Sequence, residues 1–98
     1  MEATLLSEEL TITGNEALNI IQGLSSITNF KILQLLSKGD LDISTIARRM
    51  NLSEAHISGE ISRLADLHLV KVTYAPGKRG IRKICKLAVR QISITLTN

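Results

Sequence analysis

Residues 39–72 read GDLDISTIARRMNLSEAHISGEISRLADLHLVKV, and this stretch decides the fold. Asp42 and Ser53 are good helix N-caps, because a short side-chain oxygen can accept a hydrogen bond from a free N–H of the first turn. Asn51 stands where the first helix has to end left-handed, a conformation that asparagine tolerates better than most residues. The pattern predicts two helices joined by a three-residue turn, which is the layout of a helix-turn-helix over residues 43–67.

The apolar residues of this stretch recur at the helical period and so predict its buried side. They are Ile43, Ile46, Ala47 and Met50 in the first helix, and Ile57, Ile61, Leu64 and Leu67 in the second. We therefore expect the opposite side of the second helix to face solvent or a partner.

Two further helices and a strand are predicted before the motif. ELTIT, residues 9–13, alternates like a short strand, and Asn15 is expected to cap a helix over residues 15–24. Ser25 or Ser26 is expected to cap the next helix, with Lys38 in its last turn and Gly39 just beyond. Its predicted buried face comprises Phe30, Leu33 and Leu36, flanked by Ile32 and Leu35.

A basic β-hairpin is predicted after the motif, over residues 69–89. Apolar and polar residues alternate on both sides of APGKRGIRK, residues 75–83, which contains the only proline of the chain. The apolar phase shifts near Arg90, so a bulge or a new strand over residues 91–97 is expected. The predicted fold class is therefore α+β, mainly α: one winged helix-turn-helix domain over residues 1–98, with a hairpin wing and short terminal strands.

The charges are distributed unevenly along the chain of 98 residues. Residues 1–68 hold five Lys or Arg and all nine acidic residues, for a net charge of −4. Residues 69–98 hold seven Lys or Arg and no acid, for a net charge of +7. A basic end on an acidic chain favours a polyanionic partner. The alternative is a solvated, lysine-rich sheet edge that prevents aggregation.

Several classes of function are excluded or disfavoured. No apolar run is long enough to span a bilayer, and the acidic start MEATLLSEEL is not typical of a signal peptide. A single cysteine forms no intramolecular disulfide, so a cytoplasmic protein without membrane contact is expected. No catalytic constellation or phosphate loop is present, so we expect neither an enzyme nor a cofactor. His56 and His68 are too scattered to indicate a metal site.

Two groups of residues are candidates for binding double-stranded DNA. Lys78, Arg79, Arg82 and Lys83 at the wing can displace the counterions of the phosphate backbone or enter the minor groove. The exposed side of the second motif helix is expected to lie in the major groove and to contact base edges. The candidates there are Ser53, Ala55, His56, Ser58, Gly59, Ser62 and Arg63. Gly59 is explained equally well by close approach to DNA or by tight helix packing.

The order and spacing of these elements resemble ArsR-type winged-helix transcription regulators, and the wing resembles that of their archaeal members. The resemblance covers roughly residues 9–96 and implies a sequence-specific DNA-binding regulator. Metal-sensing members carry a Cys-x-Cys pair near the start of the first motif helix, where this chain has Asp42 and Ser44. The resemblance therefore implies no metal site, and it leaves any small-molecule effector unknown.

The assembly expected is a homodimer, because one winged helix covers a single DNA half-site. The helix over residues 15–24 carries more apolar surface than one stripe needs, with Leu18, Ile21 and Leu24 as the candidate contacts. The terminal strands are expected to pair with each other, within one chain or across the dimer. The alternative to the dimer is a monomer whose termini cap its own core. The alternative to DNA binding is a winged-helix protein-interaction module in a transcription complex.

Overall fold

The computed structural model of the protein describes residues 9–97. Within this range there are four helices and two small sheets, which confirms the α+β fold class. In chain order the elements are β1 (Glu9–Thr13), α1 (Asn15–Leu24), α2 (Ile27–Leu36), β2 (Leu41–Asp42), α3 (Ile43–Met50), α4 (Glu54–Asp66), β3 (Val70–Gly77), β4 (Gly80–Leu87) and β5 (Gln91–Thr95). The expectation that the chain starts without a signal peptide falls on residues 1–8, which lie outside the described residues.

The caps of the helix-turn-helix are those that the sequence predicts. Asp42 Oδ1 accepts a hydrogen bond of 2.8 Å from the backbone N–H of Thr45. Ser53 Oγ accepts one of 3.0 Å from the backbone N–H of His56. Asn51 ends α3 in the left-handed conformation, with φ 57° and ψ 45°. Helices α3 and α4 are therefore fixed at both sides of the turn by local hydrogen bonds.

The wing is the antiparallel hairpin of β3 and β4. Its register runs from Val70 opposite Leu87 to Gly77 opposite Gly80, which leaves a two-residue turn of Lys78 and Arg79 at the tip. Only Gly80 among these tip residues has a positive φ, of 113°, which a side chain at this position would strain. Strand β2 pairs with the other edge of β4, and two residues are too few to give an alternation signal in the sequence.

The ends of α1 and α2 differ from the prediction. Gly14 precedes α1 with φ 66°, so Asn15 is the first helical residue and not the cap. Ser26 is the cap of α2, but α2 ends at Leu36. Lys38, expected in the last turn, therefore lies beyond the helix, as Gly39 was expected to do. The backbone N–H groups of residues 38 and 39 bond to carbonyls three residues earlier, which is the pattern of a 3₁₀ turn.

The buried face of α2 is rotated relative to the prediction. Phe30 is exposed, whereas Asn29 is buried beside Ile32 and Leu36. The amide nitrogen Nδ2 of Asn29 donates a hydrogen bond of 3.0 Å to the backbone carbonyl of Gly23 at the end of α1. This contact turns a polar residue inward, so Phe30 could not have been placed from hydrophobicity alone.

Strands β1 and β5 form a separate parallel pair. The register places Glu9 opposite Gln91 and Thr13 opposite Thr95, which confirms that the terminal strands pair and shows that they do so within one chain. The carboxylate of Glu9 accepts a hydrogen bond of 2.6 Å from the hydroxyl of Ser93. Leu96, counted in the predicted strand, lies beyond its end and is exposed.

The core lies between the helices and the base of the wing. Its largest fully buried side chains come from α2, α3, α4, the segment after α4 and β4, and they are Ile32, Ile46, Ile57, Ile61, Leu64, Leu69 and Cys85. The core is aliphatic, as a chain with one Tyr and one Phe requires. No helix in residues 9–97 is long and apolar enough to cross a membrane.

Candidate nucleic-acid interface

The wing and the first half of α4 border one open groove. The groove has a volume of about 770 Å³. Helix α4 contributes Glu54, Ala55 and Ser58, the start of α3 contributes Asp42, Ile43 and Ser44, and the wing contributes Arg79, Ile81, Arg82 and Lys83. We call this surface the wing groove. It brings two of the predicted α4 residues together with three of the predicted wing cations, which lie more than 20 positions later in the sequence.

Five of the seven α4 candidates lie outside the wing groove, whereas Ala55 and Ser58 line it. Ser62, Gly59 and Ala55 occupy the exposed stripe opposite the buried Ile57 and Ile61. Ser58 is half-buried at the edge of that stripe that faces the wing. Ser53 is exposed, and its hydroxyl is used as the helix cap.

Glu60 draws His56 and Arg63 to the other edge of α4. Its carboxylate lies 3.7 Å from Nε2 of His56 and 3.4 Å from Nε of Arg63. Glu60 and Arg63 line a separate cleft together with residues of α1, on the side away from the wing. The carboxylate of Glu60 therefore faces two basic side chains of its own helix, and it is not directed at the wing groove.

Gly59 does not pack against any other part of residues 9–97. A methyl group built at this position meets no atom within 4 Å. The explanation by tight helix packing is therefore wrong for the described residues of this monomer. A glycine in the middle of a helix still costs about 1 kcal/mol relative to alanine. The other explanation, close approach to DNA, stays a prediction.

Asp42 joins the wing to the start of α3. Oδ2 of Asp42 lies 2.9 Å from Nη2 of Arg82 and accepts a hydrogen bond of 3.0 Å from its Nε. The hydrogen bonds from Thr45, followed by the nearby guanidinium of Arg82, hold the pKa of the Asp42 carboxyl below its usual range. No local pattern predicts this pair, because the two residues are 40 positions apart in the sequence.

Gly77 leaves room for the Arg82 side chain. A methyl group at position 77 would come within 2.5 Å of Cγ and 2.7 Å of Cδ of Arg82. Both are inner carbons of the side chain, so a substitution would displace the guanidinium from Asp42. Gly77 therefore leaves the space that Arg82 needs to reach Asp42.

The Asp42→Asn variant should separate the two roles of this side chain. Asparagine caps helices as well as aspartate does, so α3 should keep its start, and only the ion pair with Arg82 should be lost. We expect a loss of stability of about 0.2–1 kcal/mol at neutral pH, typical of a partly exposed pair. Asp42→Ala, which also removes the cap, should lose about 1 kcal/mol more in urea unfolding.

The pH dependence of stability gives an independent check on the same pair. The folded pKa of Asp42 lies below its unfolded value, so its carboxylate stabilises the fold above a pH of about 4. This contribution should be lost as the pH falls through the folded pKa. The difference between the wild type and Asp42→Asn should therefore shrink in acid, and a constant difference down to pH 2 would contradict the assignment.

Cys85 is buried in the core, and His68 lies at the end of α4. Burial raises the pKa of the Cys85 thiol to about 11, so it stays protonated at neutral pH. His68 adopts φ 66° just after α4, where the N–H of Leu69 bonds to the carbonyl of Leu64 at 3.0 Å and closes the helix. Residues 9–97 contain no cluster of His, Cys, Asp or Glu that could hold a metal ion.

The outer face of α1 is apolar and uncovered. The buried residues of α1 are Ala17, Ile20 and Gly23. The predicted dimer contacts Leu18 and Ile21 are 59% and 47% exposed on its other side. Leu24, the third predicted contact, is half-buried and packs against the core. The monomer therefore leaves two of the three side chains available, and their part in a dimer stays a prediction.

Comparison with solved structures finds the same fold in proteins of low sequence identity. Reduced HlyU from Vibrio cholerae is 18% identical, with a TM-score of 0.64 over 74% of this chain and 73% of that one. The homodimeric winged helix-turn-helix DNA-binding domain of Mb0332 from Mycobacterium bovis, a possible ArsR-family transcriptional regulator, is 20% identical with a TM-score of 0.66. That match covers 76% of this chain and 65% of the other. The ArsR-family transcriptional regulator RHA00566 is 22% identical, with a TM-score of 0.62 over 74% and 76% of the two chains.

The sequence comparisons find no match, in contrast to the comparison of structures. No family model matches the chain, and no curated protein matches it in sequence. The expected likeness to archaeal members is not supported, because Vibrio cholerae and Mycobacterium bovis are bacteria. RHA00566 is an ArsR-family transcriptional regulator and Mb0332 a possible one, in line with the class of function expected from the sequence. The chain has the winged helix-turn-helix fold of ArsR-family transcriptional regulators.

Proposed function

We propose that this protein is a sequence-specific transcriptional regulator that binds double-stranded DNA as a homodimer in the cytoplasm. In this proposal α4 lies in the major groove, and the wing follows the phosphate backbone or the minor groove. The observation that carries it is the wing groove, where Ala55 and Ser58 of α4 share one surface with Arg79 and Lys83 of the wing. The spread of charge supports it, since residues 69–98 carry seven cations and no acid.

Helix α4 supplies the base readout in this proposal. Its N-terminal half is the part that reaches base edges in helix-turn-helix proteins. The hydroxyl of Ser58 can bond a base edge, and the methyl group of Ala55 can contact a thymine methyl. Glu60, which would repel phosphate, is turned away and faces Arg63 and His56. The guanidinium of Arg63 therefore offsets the charge of Glu60 on the helix that this proposal places against DNA.

Ser44 is a contact that the sequence analysis missed. It is exposed in the first turn of α3 and lines the wing groove. A hydroxyl and the free N–H groups of a helix start can bind a phosphate oxygen, and the wing cations lie on the same surface. In the sequence, position 44 was compared only with the second cysteine of the metal-sensing pair. The fold was needed to show that Ser44 lies beside the wing.

The test is a titration of the full chain onto DNA from its own promoter region, with random DNA as competitor, at two salt concentrations. Specific binding should survive the competitor, and Ser58→Ala should narrow the gap between promoter and random DNA by about 1–3 kcal/mol. Equal affinity for both DNAs would overturn sequence-specific readout. His56→Ala serves as the comparison, and its effect should be smaller because Glu60 engages the imidazole.

A protein-interaction module is the second candidate, favoured by one other surface. A groove between α2 and α3 is lined by the apolar residues Ile27, Leu35, Met50 and Leu52 and bordered by the cations Lys31, Lys38 and Arg49, and Ile27 is 73% exposed. Exposed apolar grooves of this kind are typical of protein-binding sites. Failure of the chain to bind any DNA in the titration would favour this function over DNA binding.

Gly59→Ala should change stability and DNA binding in opposite directions. Alanine removes the cost of a mid-helix glycine, and the added methyl group meets no atom of residues 9–97, so the free energy of unfolding should rise by about 1 kcal/mol. The same methyl group would stand between α4 and the bases, and we expect about tenfold weaker specific binding. Urea unfolding and the promoter titration measure the two effects, and unchanged DNA affinity would show that α4 stays distant from the bases.

A further inference from the structure

The tip of the wing carries an exposed apolar face beside its cations. Pro76 and Ile81 are direct cross-strand partners, and so are Tyr74 and Lys83 two positions nearer the base. Side chains at paired positions, and at every second position along a strand, share one face of a hairpin. The same face packs against the core at its base, where Val72 lies opposite Cys85, but it is exposed at the tip, at Tyr74 and Ile81.

Ile81 is the most exposed large apolar residue of the wing. Its side chain is 78% exposed, and it lines the wing groove together with Ala55 and Ser58. A single exposed isoleucine needs no explanation by itself. This one, however, lies two residues from both Arg79 and Lys83, on the surface that the proposed function assigns to DNA.

We propose that Ile81, backed by Pro76, inserts into the DNA minor groove and partly unstacks one base step. The inference rests on the proposed function and adds a mode of DNA distortion to it. Proteins that bind the minor groove use apolar side chains in this way, and the bend lets the DNA contact more of the protein. Isoleucine is suited to it because its branched side chain is stiff, and the proline restricts the opposite strand.

The flanking cations fit this position. Arg79 is in the wing turn and Lys83 follows Ile81 by two residues, so the apolar side chain has a positive charge on each side along the hairpin. Cations at these places can neutralise the phosphates of the two strands that border a minor groove. Arg82, between them, is held by Asp42 and stiffens the strand that carries Ile81.

The base step that accepts the side chain should be a flexible one. Pyrimidine–purine steps such as TA and CA are the easiest to kink. DNA selected by the full chain from a randomised pool should therefore be enriched in such a step beside each half-site. A pool selected by Ile81→Ala should lose this enrichment and keep the half-site itself, because α4 is unchanged.

The decisive experiment measures the DNA bend with the selected duplex. Fragments that carry the site at permuted positions should show a bend of roughly 20–90° with the wild-type chain, seen in their mobility on gels. Ile81→Ala should lose more than half of that bend. Its affinity for the duplex should fall by no more than about tenfold, and the salt dependence of the affinity should not change because no charge is removed. Ile27→Ala, which trims an equally exposed isoleucine on α2, is the matched control.

The possible outcomes distinguish this inference from the proposed function on which it rests. A straight duplex with the wild-type chain, or an unchanged bend with Ile81→Ala, would overturn the insertion and leave sequence-specific binding intact. Absence of specific binding by the wild type would overturn the proposed function first. Circular dichroism of each variant checks the fold, which should persist because both isoleucines are exposed.

Discussion

Ile21→Glu should convert the protein to a monomer and weaken binding to its promoter by about a hundredfold or more. The side chain is 47% exposed on the outer face of α1, beside the still more exposed Leu18, so a carboxylate there would be buried without a partner in a dimer. Loss of the second half-site removes the avidity that two linked α4 helices provide. Sedimentation at micromolar concentration measures the mass, and the promoter titration measures the affinity.

Ile27→Glu is the control for this variant. It makes the same change on an even more exposed isoleucine, at the start of α2, where a carboxylate is favoured by the helix dipole. Its mass and affinity should stay those of the wild type. A wild-type chain that sediments as a monomer would refute the dimer and favour the reading in which the terminal elements cap the monomer's own core.

Arg79→Ala combined with Lys83→Ala should weaken binding to every DNA sequence alike. Both cations line the wing groove, and phosphate contacts carry affinity without sequence information. A dimer would lose four cations, so the slope of log affinity against log salt should become shallower by up to about 3.6. Arg82 is left in place because its guanidinium is bound to Asp42 and serves the shape of the wing.

The matched control removes two cations from the same hairpin. Lys71 and Lys86 are cross-strand partners near the base of the wing, outside the wing groove. Like charges directly opposite each other are unfavourable, so Lys71→Ala with Lys86→Ala should not destabilise the sheet. The salt slope should change much less in this variant. If both double variants lost the same slope, the wing would act through net charge and not through the wing groove.

Local signals of the sequence predicted most of the fold. Asp42, Asn51 and Ser53 are read correctly because a cap depends on a side chain and a backbone within three residues of each other. The hairpin is also read correctly, since its strands alternate on both sides of a Pro- and Gly-containing turn. These features need no knowledge of the rest of the chain.

Contacts between distant residues account for what the sequence did not show. The outward position of Phe30 follows from the hydrogen bond of Asn29 to the end of α1. The ion pair of Arg82 with Asp42 forms because β2, a strand of two residues, pairs with β4 and so brings Asp42 beside the wing. The candidate site was therefore predicted as residue types on two elements, and the fold was needed to show which of them share a groove.

The pairing of β1 with β5 ties the order of synthesis to assembly. Residue 9 meets residue 91, so closing this pair costs the entropy of a loop that spans nearly the whole chain. A chain still on the ribosome has made α1 and β1 long before β5 exists, and contacts this far apart in sequence form late in folding. Strand β1, which leads directly into α1, is anchored only once residues 91–95 are available. In the proposed homodimer, two copies are therefore expected to join through Leu18 and Ile21 only after residues 91–95 of each copy have been translated.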